Sequence, residues 1–170
     1  RIPAGCPARE VVQCGLFGSM RLGRDEEPSS TPPERSDRLL EQLDLHSIAE
    51  QRYGTLSDGQ KRRLLIARAL VHKPEVLVLD EPSRALDLKA CHQLLHTLRQ
   101  LCHQGTTVVQ VTHRIDTIVP EMKRVLFLSR GRIVGDGCPE AMLQDTPLSK
   151  LFETPLQVVH ANGFSQVLPA

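Results

Sequence analysis

The chain reads as an α/β protein organised around a parallel sheet, and three observations carry that reading. Residues 75–82 (EVLVLDEP) and 106–113 (TTVVQVTH) contain short continuous apolar runs without alternation, which suits strands covered on both faces. Residues 88–104 between them have helical spacing, so strand, helix and strand follow in the order of a right-handed parallel crossover. Upstream, LSDGQKRRLLIARAL at 56–70 passes from small polar residues into a basic, leucine-rich helix.

The remaining elements follow in chain order. Residues 8–17 (AREVVQCGLF) have helical spacing, and Gly18, Gly23 and the segment DEEPSSTPPE read as an exposed connector. Thr31, two prolines and Glu34 offer a cap, first-turn residues and a reciprocal acceptor. Leu39, Leu40, Leu43 and Ile48 then form the buried stripe of a helix expected to reach about Gln51. RVLFLSRGRIVGDG predicts an antiparallel hairpin turning near Gly131, and Asn162-Gly163 between two β-prone runs predicts a second, tight one. No internal repeat is present in the sequence.

Bulk properties narrow the function. With 40% apolar residues, the 170-residue chain fits one compact domain or a large piece of one. Lys and Arg (21) nearly balance Asp and Glu (20), giving a net charge of +1, so no strong field draws the chain to nucleic acid or acidic lipid, and no nucleic-acid partner is expected. The cysteines, at Cys6, Cys14, Cys91, Cys102 and Cys138, form no CxxC pair and leave one over, the pattern of reduced thiols, which favours the cytoplasm. Every apolar stretch is soon interrupted by Arg, Asp or Glu, and the N-terminus lacks the apolar core of a signal peptide, so any membrane link is expected to run through a partner. The first residue is Arg1 rather than methionine, so a longer parent sequence is expected.

Two groups of residues can carry chemistry. Ser57 can cap a helix whose Gln60 reaches back, and Gly59 lets the backbone come close to whatever lies at that end. Unpaired amides and the helix dipole then favour an anion such as phosphate; an ordinary capping box is the alternative. Asp80 and Glu81 follow the apolar run VLVL, which puts two carboxylates at the carboxyl edge of a parallel sheet, where open α/β folds bind ligands. One can hold Mg²⁺ while the other orients or deprotonates water; the alternative is a plain strand exit into solvent. His113 closes the second apolar run, a position where a lone histidine is ordinarily just an exposed polar residue.

LSDGQ, VLVLDEP, SRALD and VTH occur in the order and at the spacings of ATP-binding cassette (ABC) ATPases, and residues 53–137 resemble that family closely. The flanks resemble, more loosely, the ATPase subunits of metal-complex or oxyanion importers of the iron-complex or molybdate type. The resemblance implies an α/β fold of the P-loop NTPase kind, incomplete, with a helical signature subdomain and the Walker B half of the parallel core sheet. It implies three regions: 1–72 carrying the signature motif at 56–60, 73–137 running from Walker B to the switch histidine, and 138–170 forming C-terminal helices and a hairpin. Ser57, Gly59 and Gln60 would face the γ-phosphate of ATP held by a second, head-to-tail ATPase subunit. Asp80 would hold Mg²⁺, Glu81 would be the general base, His113 would sense the γ-phosphate and orient the water, and Ser83 to Asp87 would couple the two sites. ATP and Mg²⁺ are the implied cofactors. Transmembrane permease subunits are the implied further partners, which would hold the chain at the inner face of the cytoplasmic membrane.

The family also needs a Walker A loop, G-x-x-x-x-G-K-[ST], whose amides and lysine enclose the phosphates, and no Gly-Lys pair occurs in these residues. The chain is therefore expected to be a fragment of an ATP-hydrolysing transporter subunit. The alternative is a catalytically silent module, derived from such a cassette, that completes a partner's site. A DNA-maintenance ATPase is disfavoured because the short connector leaves no room for a long coiled-coil arm. Gln13 lies in a helical context unsuited to the family's glutamine loop. Asp58 replaces the usual signature glycine and is expected to point away from bound phosphate. Arg84 is unusual beside Ser83. His92, His96 and His103 share a helix face and read as solvated rather than metal-binding, opposite an apolar face of Cys91, Leu94, Leu95, Leu98, Leu101 and Cys102. Lys61, Arg62 and Arg63 read as an exposed, solvated turn.

Overall fold

Among the described residues three helices precede the first strand, where i, i+3, i+4 spacing gives way to a continuous apolar run. The computed structural model describes residues 2–16, 33–84 and 86–170, and the expected connector and Thr31 cap lie outside the described residues. In order the elements are α1 (Ala8–Leu16), α2 (Pro33–Gln42), α3 (Asp58–Leu70), β1 (Val76–Asp80), α4 (Leu88–His103), β2 (Thr107–Val111), β3 (Val125–Ser129), β4 (Arg132–Gly137), α5 (Pro139–Met142), α6 (Asp145–Phe152), β5 (Leu156–Ala161) and β6 (Phe164–Pro169). Single 3-10 turns occupy His46–Ile48, Tyr53–Thr55 and Ile115–Thr117. The chain divides into two compact units, residues 1–77 with 82–97 and residues 78–81 with 98–170, where its length alone suggested one.

The first unit is a helical cluster. Val11, Val12 and Cys14 of α1 are buried, as are Leu64, Ile66, Ala67 and Leu70 of α3. The two helices approach closely because Gly15 has no side chain; a Cβ there would fall 2.5 Å from the Arg68 carbonyl oxygen. Arg9 ties the cluster together through ion pairs with Asp37 and Glu50.

The helix expected to reach Gln51 stops at Gln42. Asp44 adopts φ +56°, its N–H donates to Glu41 O (3.0 Å), and Leu45 N–H donates to Leu40 O (2.7 Å), the paired bonds of a Schellman cap. Leu40 and Leu45, the positions whose apolar side chains usually accompany the motif, are both fully buried. The stop is invisible to the usual sequence rule because Asp, not Gly, holds the left-handed position.

The second unit carries the strands, apart from Val76 and Leu77 at the start of β1. β1 and β2 are neighbours, and Glu81 N–H, one residue past β1, donates to Val111 O at the end of β2 (2.9 Å). Their carboxyl ends therefore lie side by side, and the strands run parallel as the crossover reading requires. β3 and β4 form an antiparallel hairpin with Arg130 and Gly131 both at positive φ, and a register shift lies between Phe127 and Leu128. β5 and β6 pair in register around Asn162 (φ +52°) and Gly163 (φ +80°), the two-residue turn the sequence predicts. None of the described helices is long and apolar enough to cross a membrane.

Candidate functional site

The signature turn is set by local hydrogen bonding. Ser57 adopts an extended conformation ahead of α3, its Oγ accepts from Gln60 N–H (3.2 Å), and Gln60 Oε1 accepts from Ser57 N–H (2.9 Å). The reciprocal box expected from the sequence forms in full. Asp58 is exposed and pairs at 3.7 Å with Lys61, one turn on, so its carboxylate is drawn along the helix surface. Gly59 is buried, and a Cβ there would fall 2.6 Å from the Ala90 Cβ.

The loop that follows Pro82 ends in a second cap. Asp87 Oδ1 accepts from Ala90 N–H (2.7 Å) and Asp87 O accepts from Cys91 N–H (2.9 Å), so this carboxylate starts α4. Ser83 is fully buried, and its hydroxyl has no hydrogen-bond partner among the described residues. Arg84 is exposed.

The carboxylate edge lies in the second unit. Asp80, the last residue of β1, is exposed and has no ion-pair partner among the described residues. Glu81 turns inward, with its side chain about three-quarters buried, and its backbone takes φ +43°. That left-handed conformation costs a non-glycine residue on the order of 1–2 kcal/mol. The following Pro82 also disfavours the right-handed helical alternative.

His113, 32 residues away, makes two bonds to one oxygen of Glu81: its backbone N–H donates to Oε1 (3.0 Å), and its Nδ1 lies 2.7 Å from the same atom. A carboxylate held by two donors is a fixed acceptor, and an imidazole with Nδ1–H on a carboxylate keeps Nε2 for another group. Of the residues the sequence singled out, the structure brings Glu81 to His113 and Ser57 to Gln60. Among the described residues no group of three or more His, Cys, Asp or Glu could enclose a metal ion. A lone exposed carboxylate such as Asp80 suits Mg²⁺, which takes one or two protein oxygens and keeps water and phosphate for the rest.

Sequence reasoning missed Arg63. Expected on a solvated turn, it is only 7% exposed, and its Nη1 donates to Leu43 O (2.9 Å) and Asp44 O (3.4 Å) at the exit of α2. Burial pulls its pKa down, with the Asp44 charge opposing. The signal was available in the helical period, since Arg63 shares a face with the buried Gly59, Ile66 and Ala67. On α4 the expected split holds better. Cys91, Leu94, Leu95, Leu98 and Leu101 are buried and His92, His96 and His103 are exposed, but Cys102, expected on the apolar face, is only half-buried. His103 is not merely solvated, since its Nε2 lies 3.0 Å from Glu121 Oε1.

Parallel strands joined through a helix, with carboxylates at their carboxyl edge and a capped helix start elsewhere in the chain, define an open α/β arrangement whose ligand edge is the carboxyl end of its strands. The ABC transporter family model matches residues 11–84. The chain is 39% identical over 154 residues to the uncharacterised ABC transporter ATP-binding protein YlmA of Bacillus subtilis, covering 89% of this chain and 58% of that protein. It is 36% identical over 162 residues to the hemin import ATP-binding protein HmuV of Chelativorans, covering 90% of this chain and 59% of the relative. Among solved structures it is similar to a metal-chelate type ABC transporter in an inward-facing conformation, at 27% identity and a TM-score of 0.84, covering all of this chain and 68% of that one. Over most of its length the chain is similar to ABC transporter ATP-binding proteins, and it shares the fold of their cassettes. It spans under three-fifths of the length of these two relatives, 58% and 59%.

Proposed function

We propose that this chain is the signature and Walker B portion of an ATP-hydrolysing subunit serving an importer of the metal-complex or oxyanion class. The observation that carries the reading is the convergence of the His113 backbone N–H and Nδ1 on Glu81 Oε1 at the edge of the β1–β2 pair. In this reading residues 1–72 form the signature region, 73–137 the Walker B to switch-histidine part of the core, and 138–170 the C-terminal helices and hairpin.

Each residue then has a task. Ser57, Gly59 and Gln60 present the start of α3 to the γ-phosphate held by a second, head-to-tail subunit, where backbone amides and the helix dipole favour negative charge. Asp80 would hold Mg²⁺, which would neutralise charge on the phosphates of ATP, whose phosphoanhydride bond is the one cleaved. Glu81 accepts the proton of the attacking water, and His113 fixes the orientation of that carboxylate. Asp87 anchors the loop that couples the two sites. Permease subunits hold the assembly at the inner face of the cytoplasmic membrane and receive the motion, which can be driven only by binding energy that differs between open and closed dimers.

The phosphate-cradling loop would come from outside these residues. An uncovered face supports this: Val78, Val109 and Val111 are 66%, 44% and 46% exposed, although both faces of their strands are apolar in sequence. We assign the missing cover to the Walker A-bearing part of the same cassette. Isothermal titration of the 170-residue chain with ATP and Mg²⁺ is expected to give no saturable binding, whereas the parent carrying the segment upstream of Arg1 binds; tight binding by this chain alone would refute the assignment. A second reading, a silent module that completes a partner's site, is favoured by the absence of any Gly-Lys pair. A GxxxxGK[ST] loop encoded upstream decides against it.

A further inference from the structure

We infer that Gly59 is glycine because Ala90 stands where its side chain would be, and that Ala90 is a positioning residue joining the signature turn to the coupling loop. This rests on the proposed role of the Ser57–Gln60 turn, but the contact itself is independent of any nucleotide. Backbone conformation does not demand glycine here, since Gly59 is not among the glycines with positive φ, which among the described residues are Gly105, Gly131 and Gly163. Alanine is the better helix former at such a position, so something else must exclude it.

The exclusion is steric. A Cβ on Gly59 would lie 2.6 Å from the Ala90 Cβ and 3.8 Å from Leu86 Cδ2, whereas non-bonded carbons settle at about 3.5–4.0 Å. Ala90 cannot easily yield, because its own N–H is held by Asp87 Oδ1 at 2.7 Å and the next N–H by Asp87 O at 2.9 Å. The two helix starts therefore interlock: the box of Ser57 and Gln60 fixes one, the Asp87 cap fixes the other, and Gly59 against Ala90 and Leu86 joins them. A displacement of the coupling loop is then carried to the signature turn through van der Waals contact at Gly59, with no hydrogen bond needed there.

A size swap tests this. In the 170-residue chain, amide hydrogen exchange is measured at Gln60, Lys61, Ala90 and Cys91. Gly59→Ala is expected to speed exchange about tenfold at all four, and adding Ala90→Gly is expected to bring the rates back to within about threefold of the original. Acceleration confined to Gln60 and Lys61, or a double variant no better than Gly59→Ala, overturns the inference. Should Gly59→Ala lose its helical circular dichroism, regain of that signal in the double variant supports the contact, and failure to regain it overturns it. Ala90→Val, which crowds the contact from the other side, is expected to speed exchange at Gln60 and Lys61 while Gly59 is intact; unchanged rates count against the inference. Nucleotide enters none of these measurements, so a failed swap leaves the cassette reading to its own titration.

Discussion

Replacing Arg63 with Met keeps the aliphatic stem and removes the guanidinium that ends α2. Two opposing effects set the outcome. Losing a charge-assisted bond costs about 1.5–3 kcal/mol, and leaving a buried carbonyl without a donor costs about 1–3 kcal/mol. Against this, burying a guanidinium is itself unfavourable, and apolar replacement of a buried charge can recover a few kcal/mol. Leu43 is only 2% exposed, so water offers its carbonyl little replacement for the 2.9 Å bond from Arg63. The orphaned carbonyl therefore decides the sign, and a net loss of about 2 kcal/mol is expected. In urea, followed by far-ultraviolet circular dichroism, that is a fall in midpoint of about 1 M. Asp44→Asn is the control: the carboxylate is exposed and lies 3.8 Å from the guanidinium, so its loss should cost less than about 0.5 kcal/mol. A midpoint for Arg63→Met within about 0.3 M of the original, or an Asp44→Asn loss as large as the Arg63→Met loss, would refute carbonyl recognition as the reason Arg63 is buried.

Three further outcomes are expected. In the full-length parent, Glu81→Gln should lower ATP turnover by about 10²- to 10⁴-fold with nucleotide affinity retained; His113→Ala should lower it less, because the His113 backbone N–H still reaches Glu81 Oε1 at 3.0 Å. Glu121 is pushed up by burial, but its bond from Arg99, a backbone bond and the charges of Arg99 and His103 more than offset this and hold its carboxyl below the ordinary value of 4.5. Its contribution to stability is therefore complete above that value and disappears as pH falls through the lower folded one, so Glu121→Gln should flatten the acid limb of a stability–pH curve measured by denaturation; an unchanged limb counts against the pairing. Gly163→Ala should destabilise the β5–β6 hairpin by about 2 kcal/mol, read as a lowered melting temperature, because φ is +80° and the new Cβ would meet Pro120 Cγ at 2.8 Å.

Elements whose determinants are local were legible in the sequence. The capping box needs only Ser57 and Gln60, three residues apart, and the hairpin turns need residues that accept positive φ at Arg130–Gly131 and Asn162–Gly163; all form where expected. The α4 stripe is likewise a matter of period. What escaped depends on distant partners or on an uncommon residue in a common role. Arg63 is buried because the carbonyls of Leu43 and Asp44, about twenty positions earlier, come to meet it. The stop of α2 was hidden by Asp44 holding a conformation ordinarily signalled by glycine. Gly59 was assigned a ligand-facing freedom, yet its immediate constraint is Ala90.

The most informative disagreement concerns the strands. Their sequences carry apolar residues on both faces, which argues for cover on both, but Val78 on β1 and Val109 and Val111 on β2 remain exposed, each between less exposed neighbours. Burial alternates where hydropathy does not. Polar residues on the outward face would have suited a sheet that met only water, so the proposed reading assigns these valines a covering neighbour. Asp80 ends β1 on the register of Val78, and β2 presents Val111 at the same carboxyl edge. A layer placed over these valines would therefore reach the rim where Asp80 stands and would narrow the water's access to it. On the proposed reading, covering the apolar face and completing the phosphate site are one event. A cassette segment that docked there without restoring nucleotide binding would separate the two and leave the exposed valines needing another explanation.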